Sequence, residues 1–476
     1  MMRSLLFAKN RLVRSCALVL PLAAAIVLPL PIARNIASVR SVATVKTTFA
    51  QNARPNILII MTDDQGHDTL TDQFMPFTKS MIADQGINFS NGFMSTAICC
   101  PSRASFLTGK YARNHRVHVN TDKLSQTTVA NRLQEAGYYT GLIGKYLNSW
   151  PGDRRPEYDY WACWRENYTD PSMNIFGEFK NVPGYLTYIL RDYALDFLDK
   201  VPSDEPFFLL FTPHAPHAPA IPAPGDENLY SDLPNWRPPS FNPPAQSEKP
   251  AWLANTELLT PEQIAEVDKV RLDQLRCLHS VDLAVRDLLN KLRDQGKLDN
   301  TLVVFYSDNG YFWGEHRLDR KNRVYDEASH VPFALRYPPL VSTPRTEARL
   351  IQVIDLAPTI YELAGIPIPG DVDGRSLVPL MQGTTEWRDA LLLEGWPGRH
   401  LHSGTSGAVP QRDGTETQEH YRAIRNEQYV YVETDNDTSE LYDTLNDPYE
   451  LTNLVKAPGF AKTVKKLRKR LRKGPL

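Results

Sequence analysis

A few side chains in this 476-residue chain point to chemistry rather than packing. Asp63 and Asp64 are adjacent and directly follow the apolar run NILIIM (56–61) and Thr62. Neighbouring carboxylates repel one another unless a cation lies between them. Asp308 and Asn309 follow a second apolar run, TLVVFYS (301–307). The four residues offer oxygens and no sulfur, a donor set that suits Ca²⁺ or Mg²⁺ rather than zinc. Each half also has an ordinary reading. Asp after a strand is a common cap or turn residue, and Asp-Asn-Gly is a turn sequence. Lys145 follows YTGLIG (139–144), and His214 and His217 follow PFFLLF (206–211). An adjacent thiol pair, Cys99-Cys100, precedes Pro101, Ser102 and Arg103.

These residues need a scaffold, and the apolar runs before them supply one. Continuous runs of this kind read as strands buried on both faces, hence an α/β fold with a parallel sheet covered by helices. In such sheets ligands bind beyond the carboxyl ends of the strands. Four separate runs deliver Asp, Lys, His and Asp/Asn to that edge, and their convergence outweighs the ordinary reading of any one of them. The clearest helix is predicted over 261–295. Thr260 is its N-cap, Pro261 its first residue, Gln263 completes a capping box, and Gly296 lies just past its end. Residues 213–250 hold eleven prolines and read as a long loop, expected to form part of the rim of the site. Trp150, Tyr158, Tyr160, Trp161 and Trp164 could stack on a sugar or aryl ring or pack a loop onto the body.

Residues 97–109, Ala-Ile-Cys-Cys-Pro-Ser-Arg-Ala-Ser-Phe-Leu-Thr-Gly, resemble the sulfatase signature C-x-P-S-R followed by L-T-G. Gly137 to Tyr146 is similar to the second sulfatase signature. The Asp-Asp pair, His214-Ala-Pro-His217 and Asp-Asn-Gly stand in the family's order. The resemblance implies an alkaline-phosphatase-like large domain with a mostly parallel sheet, and a small C-terminal α+β domain with an antiparallel sheet. It implies that Cys99 is converted to formylglycine by a maturation enzyme and touches a Ca²⁺ (or Mg²⁺) held by Asp63, Asp64, Asp308 and Asn309. The hydrated aldehyde has two hydroxyls on one carbon. One attacks sulfur and the other expels sulfate, which splits one hard step into two easier ones. By the same resemblance Arg103 and Lys145 flank the formylglycine, His217 lies near the nucleophile or leaving group, and Lys321 binds sulfate. His316 is similar to a histidine near the sulfate in part of the family. Many relatives have histidine two residues after the motif lysine; this chain has Leu147, then Asn148. The run Gly-Lys-Tyr-Leu-Asn (144–148) instead resembles the N-acetylglucosamine-6-sulfatase branch. The expected activity is that of an arylsulfatase-like sulfuric ester hydrolase acting on a sulfated saccharide or aryl sulfate. The rivals are a phosphonate monoester or phosphodiester hydrolase on the same fold, and a catalytically silent sulfated-glycan-binding protein.

The composition, 42% hydrophobic and 23% charged with net charge −2, excludes a disordered or fibrous chain. It carries no basic excess that would point to nucleic acid. Charge is uneven along the chain. Residues 1–51 hold seven Lys/Arg and no acid, and the uncharged run CALVLPLAAAIVLPLPIA (16–33) lies among them. Basic then apolar is the pattern of an export signal. The run is also close to the lower limit for a spanning helix. The expectation is an exported protein, periplasmic or secreted. The alternative is an anchor through residues 16–33, with membrane contact only if that segment is uncleaved. The predicted organisation is an export signal or anchor over 1–50, a catalytic domain over 52–384 and a C-terminal subdomain over 385–476. The subdomain is expected to hold a hairpin over 421–434 and a basic last helix with an apolar stripe of Phe460, Val464, Leu467 and Leu471. Five cysteines are too few for a disulfide framework, and pairing of Cys163 with Cys277 is left open.

Overall fold

The structure is a computed structural model and describes residues 54–244, 248–397, 420–436 and 438–473. The export segment, with Cys16, lies outside the described residues. Among these residues ten strands form one sheet. In chain order they are β1 (Asn56–Thr62), β2 (Ile87–Phe89), β3 (Tyr139–Gly144), β4 (Tyr160–Glu166) and β5 (Ser172–Ile175). They continue with β6 (Glu178–Asn181), β7 (Phe207–Thr212), β8 (Thr301–Ser307), β9 (Phe333–Arg336) and β10 (Arg345–Glu347). Their order across the sheet is β10-β2-β9-β8-β1-β7-β3-β4-β5-β6.

The central strands β8, β1, β7, β3 and β4 are parallel, and the first four have the near-continuous apolar sequences expected of strands buried on both faces. Antiparallel partners extend the sheet outward on both sides. Alternation along β1 divides the core. Ile57, Ile59 and Met61 pack into one cluster, and Leu58 and Ile60 into another on the opposite face. Every residue of β1 is buried. A fully buried Leu or Ile contributes about 1.5–3 kcal/mol, so the two-faced core dominates the stability of this sheet.

The four longest helices among the described residues are α1 (Cys99–Thr108), α2 (Leu186–Lys200), α3 (Pro261–Asp294) and α4 (Ala461–Arg472). Helix α3 begins as its sequence predicts: the Thr260 side chain accepts from Gln263 N, and Gln263 reciprocates. Its Leu275, Leu278, Val285, Leu288 and Leu292 join the α2 residues Leu190, Phe197 and Leu198 on one face of the sheet. Helix α1 lies on the other face and is buried along its whole length. That burial explains why its sequence carries no amphipathic pattern.

A second sheet of four antiparallel strands holds β11 (Ala390–Gly395), β12 (Tyr421–Asn426), β13 (Tyr429–Thr434) and β14 (Ser439–Asp443). Strands β12 and β13 form the expected hairpin. Val464, Leu467 and Leu471 of α4 bury their stripe in the same cluster as Ile57 and Ile59. The four cysteines among the described residues are free, so Cys163 and Cys277 do not pair. No helix among these residues is long and apolar enough to cross a membrane.

Candidate active site

Four neighbouring strands end at the same level. Ile60 of β1 is opposite Phe211 of β7, Gly144 of β3 opposite Thr212 of β7, and Thr62 of β1 opposite Ser307 of β8. Just beyond them the backbone is stapled sideways. Asp308 N donates to Thr62 O at 3.0 Å, and Lys145 N to Thr212 O at 2.8 Å. The turn into Lys145 depends on Gly144. Its φ is +121°, and a Cβ there would lie 2.0 Å from Thr212 O.

Asp64 has φ +67°, uncommon for a residue with a side chain. It is held there by its neighbours, since its N–H donates to Asp308 Oδ1 at 3.3 Å and its Oδ1 accepts from Asn309 Nδ2 at 2.6 Å. Backbone held in a sparsely populated region by surrounding contacts often marks a functional site.

Asp63, Asp64 and Asp308 are buried, at 0–2% exposure, and three cations answer them. Arg103 spans two carboxylates, with Nε 2.7 Å from Asp308 and an Nη 3.3 Å from Asp63. Its other Nη donates to Lys145 O at 2.7 Å, so one guanidinium uses its fork on three strand ends. Lys145 Nζ lies 2.5 Å from Asp63. Lys321 bonds Asp64 and stands 3.2 Å from the Cys99 sulfur. Cys99 Sγ in turn lies 3.5 Å from Asp63 Oδ1. Burial alone would raise the Asp63 carboxyl, but Lys145, His217 and Arg103 outweigh it and hold that group well below the usual carboxylate range. Burial and the Asp63 charge push Asp308 up to about 6. Burial, and then the Asp63 charge, raise the Cys99 thiol.

The residues gathered here fit a divalent ion. Ligand atoms of Asp63, Asp64, Cys99 and His217 all lie within 4.8 Å of one another. Asn309 Oδ1 is buried without a hydrogen-bond partner. An orphaned carbonyl-type oxygen costs about 1–3 kcal/mol, a penalty that a coordinated cation removes.

The structure thus gathers Asp63, Asp64, Cys99, Arg103, Lys145, Asp308, Asn309, Lys321 and His217 at one sheet edge. His217 Nε2 is 3.6 Å from Asp64. His316 is held differently. Its ring stacks on Tyr325 with centroids 4.5 Å apart, and its Nε2 lies 3.6 Å from Glu327. His214, to which the sequence assigned no role, has Nδ1 3.4 Å from Asp63 and stacks on Trp164 at 3.9 Å. Burial brings it down to about 4, so its ring is neutral near pH 7. Asn148, the polar neighbour of Leu147, turns to the second thiol: its N–H lies 3.0 Å from Cys100 Sγ. Cys100 N donates to Asn120 Oδ1 at 3.0 Å, which fixes the start of α1.

Known proteins resemble this chain on both counts, sequence and fold. Residues 55–366 match the sulfatase family model, and residues 314–474 match one described as N-sulphoglucosamine sulphohydrolase, C-terminal. The N-acetylglucosamine-6-sulfatase of Homo sapiens is 31% identical over 86% of this chain and 82% of its own. The extracellular sulfatase SULF-1 homolog of Drosophila melanogaster is 31% identical over 74% of this chain. The chain spans 33% of that relative's length, and 53% of the Caenorhabditis elegans Sulf-1 homolog's. One solved structure, a complex with its substrate D-glucosamine-2-N,6-O-disulfate, superposes with a TM-score of 0.77. The match has 24% identity and covers 88% of this chain and 97% of that one. At that identity the likeness carries the fold, which is alkaline-phosphatase-like.

Proposed function

The chain belongs to the sulfatase family, and from that premise we propose that it hydrolyses sulfate monoesters, using a formylglycine made from Cys99 beside a calcium ion. One observation carries this reading. The Cys99 sulfur sits 3.5 Å from Asp63 and 3.2 Å from Lys321, where three buried carboxylates meet three buried cations. Asp63, Asp64, Asp308 and Asn309 would hold the ion. When bound, the ion and the hydrated aldehyde supply charge stabilisation and a nucleophilic hydroxyl.

The chain's own residues do the rest. Arg103 locks Asp63 and Asp308 in place and leaves neither carboxylate free to turn away. Lys145 and Lys321 present ammonium groups to the volume in front of Cys99, where a sulfate's oxygens gather negative charge. Lys321, which touches the reacting side chain, is the proposed sulfate-binding lysine and an aid to the leaving oxygen. His217, buried against Asp64, is the proposed proton carrier between solvent and that oxygen. His214, stacked on Trp164, keeps the Asp63 carboxylate oriented. Burial of the whole set excludes water and strengthens each of these interactions.

The similar N-acetylglucosamine-6-sulfatases and the run Gly144 to Asn148 favour a sulfated saccharide over an aryl sulfate. We take residues 52–384 as the catalytic portion and 385–476 as its subdomain, and the apolar segment 16–33 as the means of export. The test is peptide mass spectrometry of active protein together with a screen of sulfated saccharides and aryl sulfates. An aldehyde at position 99 and sulfate release from a saccharide are expected. Full activity with an intact thiol at position 99 would refute the mechanism.

A further inference from the structure

Beside the catalytic cluster lies a cavity of about 220 Å³, lined by Lys145, Asn148, Trp150, Trp164, Arg165 and Glu166 among others. Two of its walls are shared with the site. Lys145 contacts Asp63, and Trp164 stacks on His214. The cavity therefore adjoins the cluster through Lys145 and Trp164, and it has the scale of a single sugar ring rather than of a second active site.

Its composition is that of a saccharide pocket. Trp150 and Trp164 supply an apolar wall, each 8% exposed, and such wall residues suit the hydrophobic face of a sugar. Asn148 and Glu166 offer polar groups for hydroxyls. Arg165 is the distinctive member. The pairing of β4 with β5 shifts register between Trp164 and Glu166, so Arg165 is the extra residue of a bulge. Bulges commonly occur beside active sites, where they re-aim a side chain. The Arg165 guanidinium stands 5.9 Å from the Phe179 ring centroid. Among the described residues it has no carboxylate partner, and Phe179 is itself 53% exposed. An exposed planar cation propped on an aromatic ring suits a bidentate anionic group.

We infer that this cavity is a subsite for the sugar unit adjoining the one that carries the sulfate ester, and that Arg165 binds an anionic group on that unit. The inference rests on the sulfatase reading and deepens it: the substrate becomes an anionic oligosaccharide rather than a lone sulfated sugar. A carboxylate and a second sulfate present the same oxygen geometry to Arg165, and the experiment separates them.

Wild type and Arg165→Gln are compared on four esters that differ only beside the sulfated sugar: no neighbour, a neutral neighbour, a uronate neighbour and a sulfated neighbour. The expected loss of kcat/KM in Arg165→Gln is at least tenfold greater on the charged disaccharides than on the neutral one, and is carried by KM. The charged disaccharide that wild type prefers identifies the anion. Equal losses on all four, or no loss, would overturn the subsite. Calorimetric binding of the corresponding disaccharides without the ester reads the subsite apart from turnover. At least tenfold weaker binding by Arg165→Gln supports it even if no ester is cleaved, a result that would count against the sulfatase reading alone. Identical binding by both proteins refutes the subsite.

Discussion

The Lys321 ammonium stands 3.2 Å from the Cys99 sulfur while it is bonded to Asp64. One cation thus touches both the side chain that would become the nucleophile and a carboxylate that would hold the metal. Lys321 comes from a segment more than two hundred residues further along the chain. Such a group serves the reaction more than the fold. Lys321→Ala is expected to lower kcat by about 10²–10³-fold, the effect of removing one preorganised donor. Steady-state kinetics on a sulfated saccharide check it; wild-type kcat would remove Lys321 from the mechanism.

Arg103 bridges Asp63 and Asp308 within a buried cluster. A lysine in its place offers one point charge instead of a fork. Arg103→Lys is expected to lose stability by about 3–5 kcal/mol, because one buried carboxylate loses its partner. Denaturant unfolding measures this. A change under ~1 kcal/mol would mean that other groups neutralise both carboxylates.

Chelation is expected to abolish turnover, and added Ca²⁺ to restore it more fully than Mg²⁺. The structural correlate is the unpaired Asn309 Oδ1. At a hundredfold excess over Kd the ion adds about 2.7 kcal/mol of stability, visible as a rise in Tm. Asp308→Ala should erase that rise. A Ca²⁺-dependent rise that persists in the variant would place the ion elsewhere.

Leu467 of α4 is 2% exposed and packs in the same cluster as the central strand β1. Leu467→Ala is expected to cost about 2–5 kcal/mol with KM unchanged. Thermal melts and kinetics together separate this from a role in substrate binding.

The scaffold of the site was readable in the sequence because it depends on local patterns. NILIIM, YTGLIG, PFFLLF and TLVVFYS became β1, β3, β7 and β8, and each ends beside a residue of the cluster. Helix α3 starts at the expected capping box. What the sequence left hidden depends on side chains meeting across the sheet. The stack of Trp164 on His214 joins the end of β4 to the loop after β7. Asn148, next to the place where many relatives carry histidine, pairs with Cys100 and not with Cys99. His316 meets Tyr325 and Glu327, contacts that no spacing rule encodes. The bulge at Arg165 was equally invisible, since bulges follow from strand pairing rather than from residue type.

Cys99 is 1% exposed, and all of α1 is buried around it. A side chain so enclosed cannot enter another protein's reaction centre. An enzyme that converts the thiol would therefore meet it before the chain has closed around that helix. If activity needs that conversion, as proposed, the yield of active protein is set by timing. On the proposed mechanism, molecules that fold first would carry the thiol sealed inside, correctly shaped and idle, and a maturation enzyme supplied later would reach it only after unfolding.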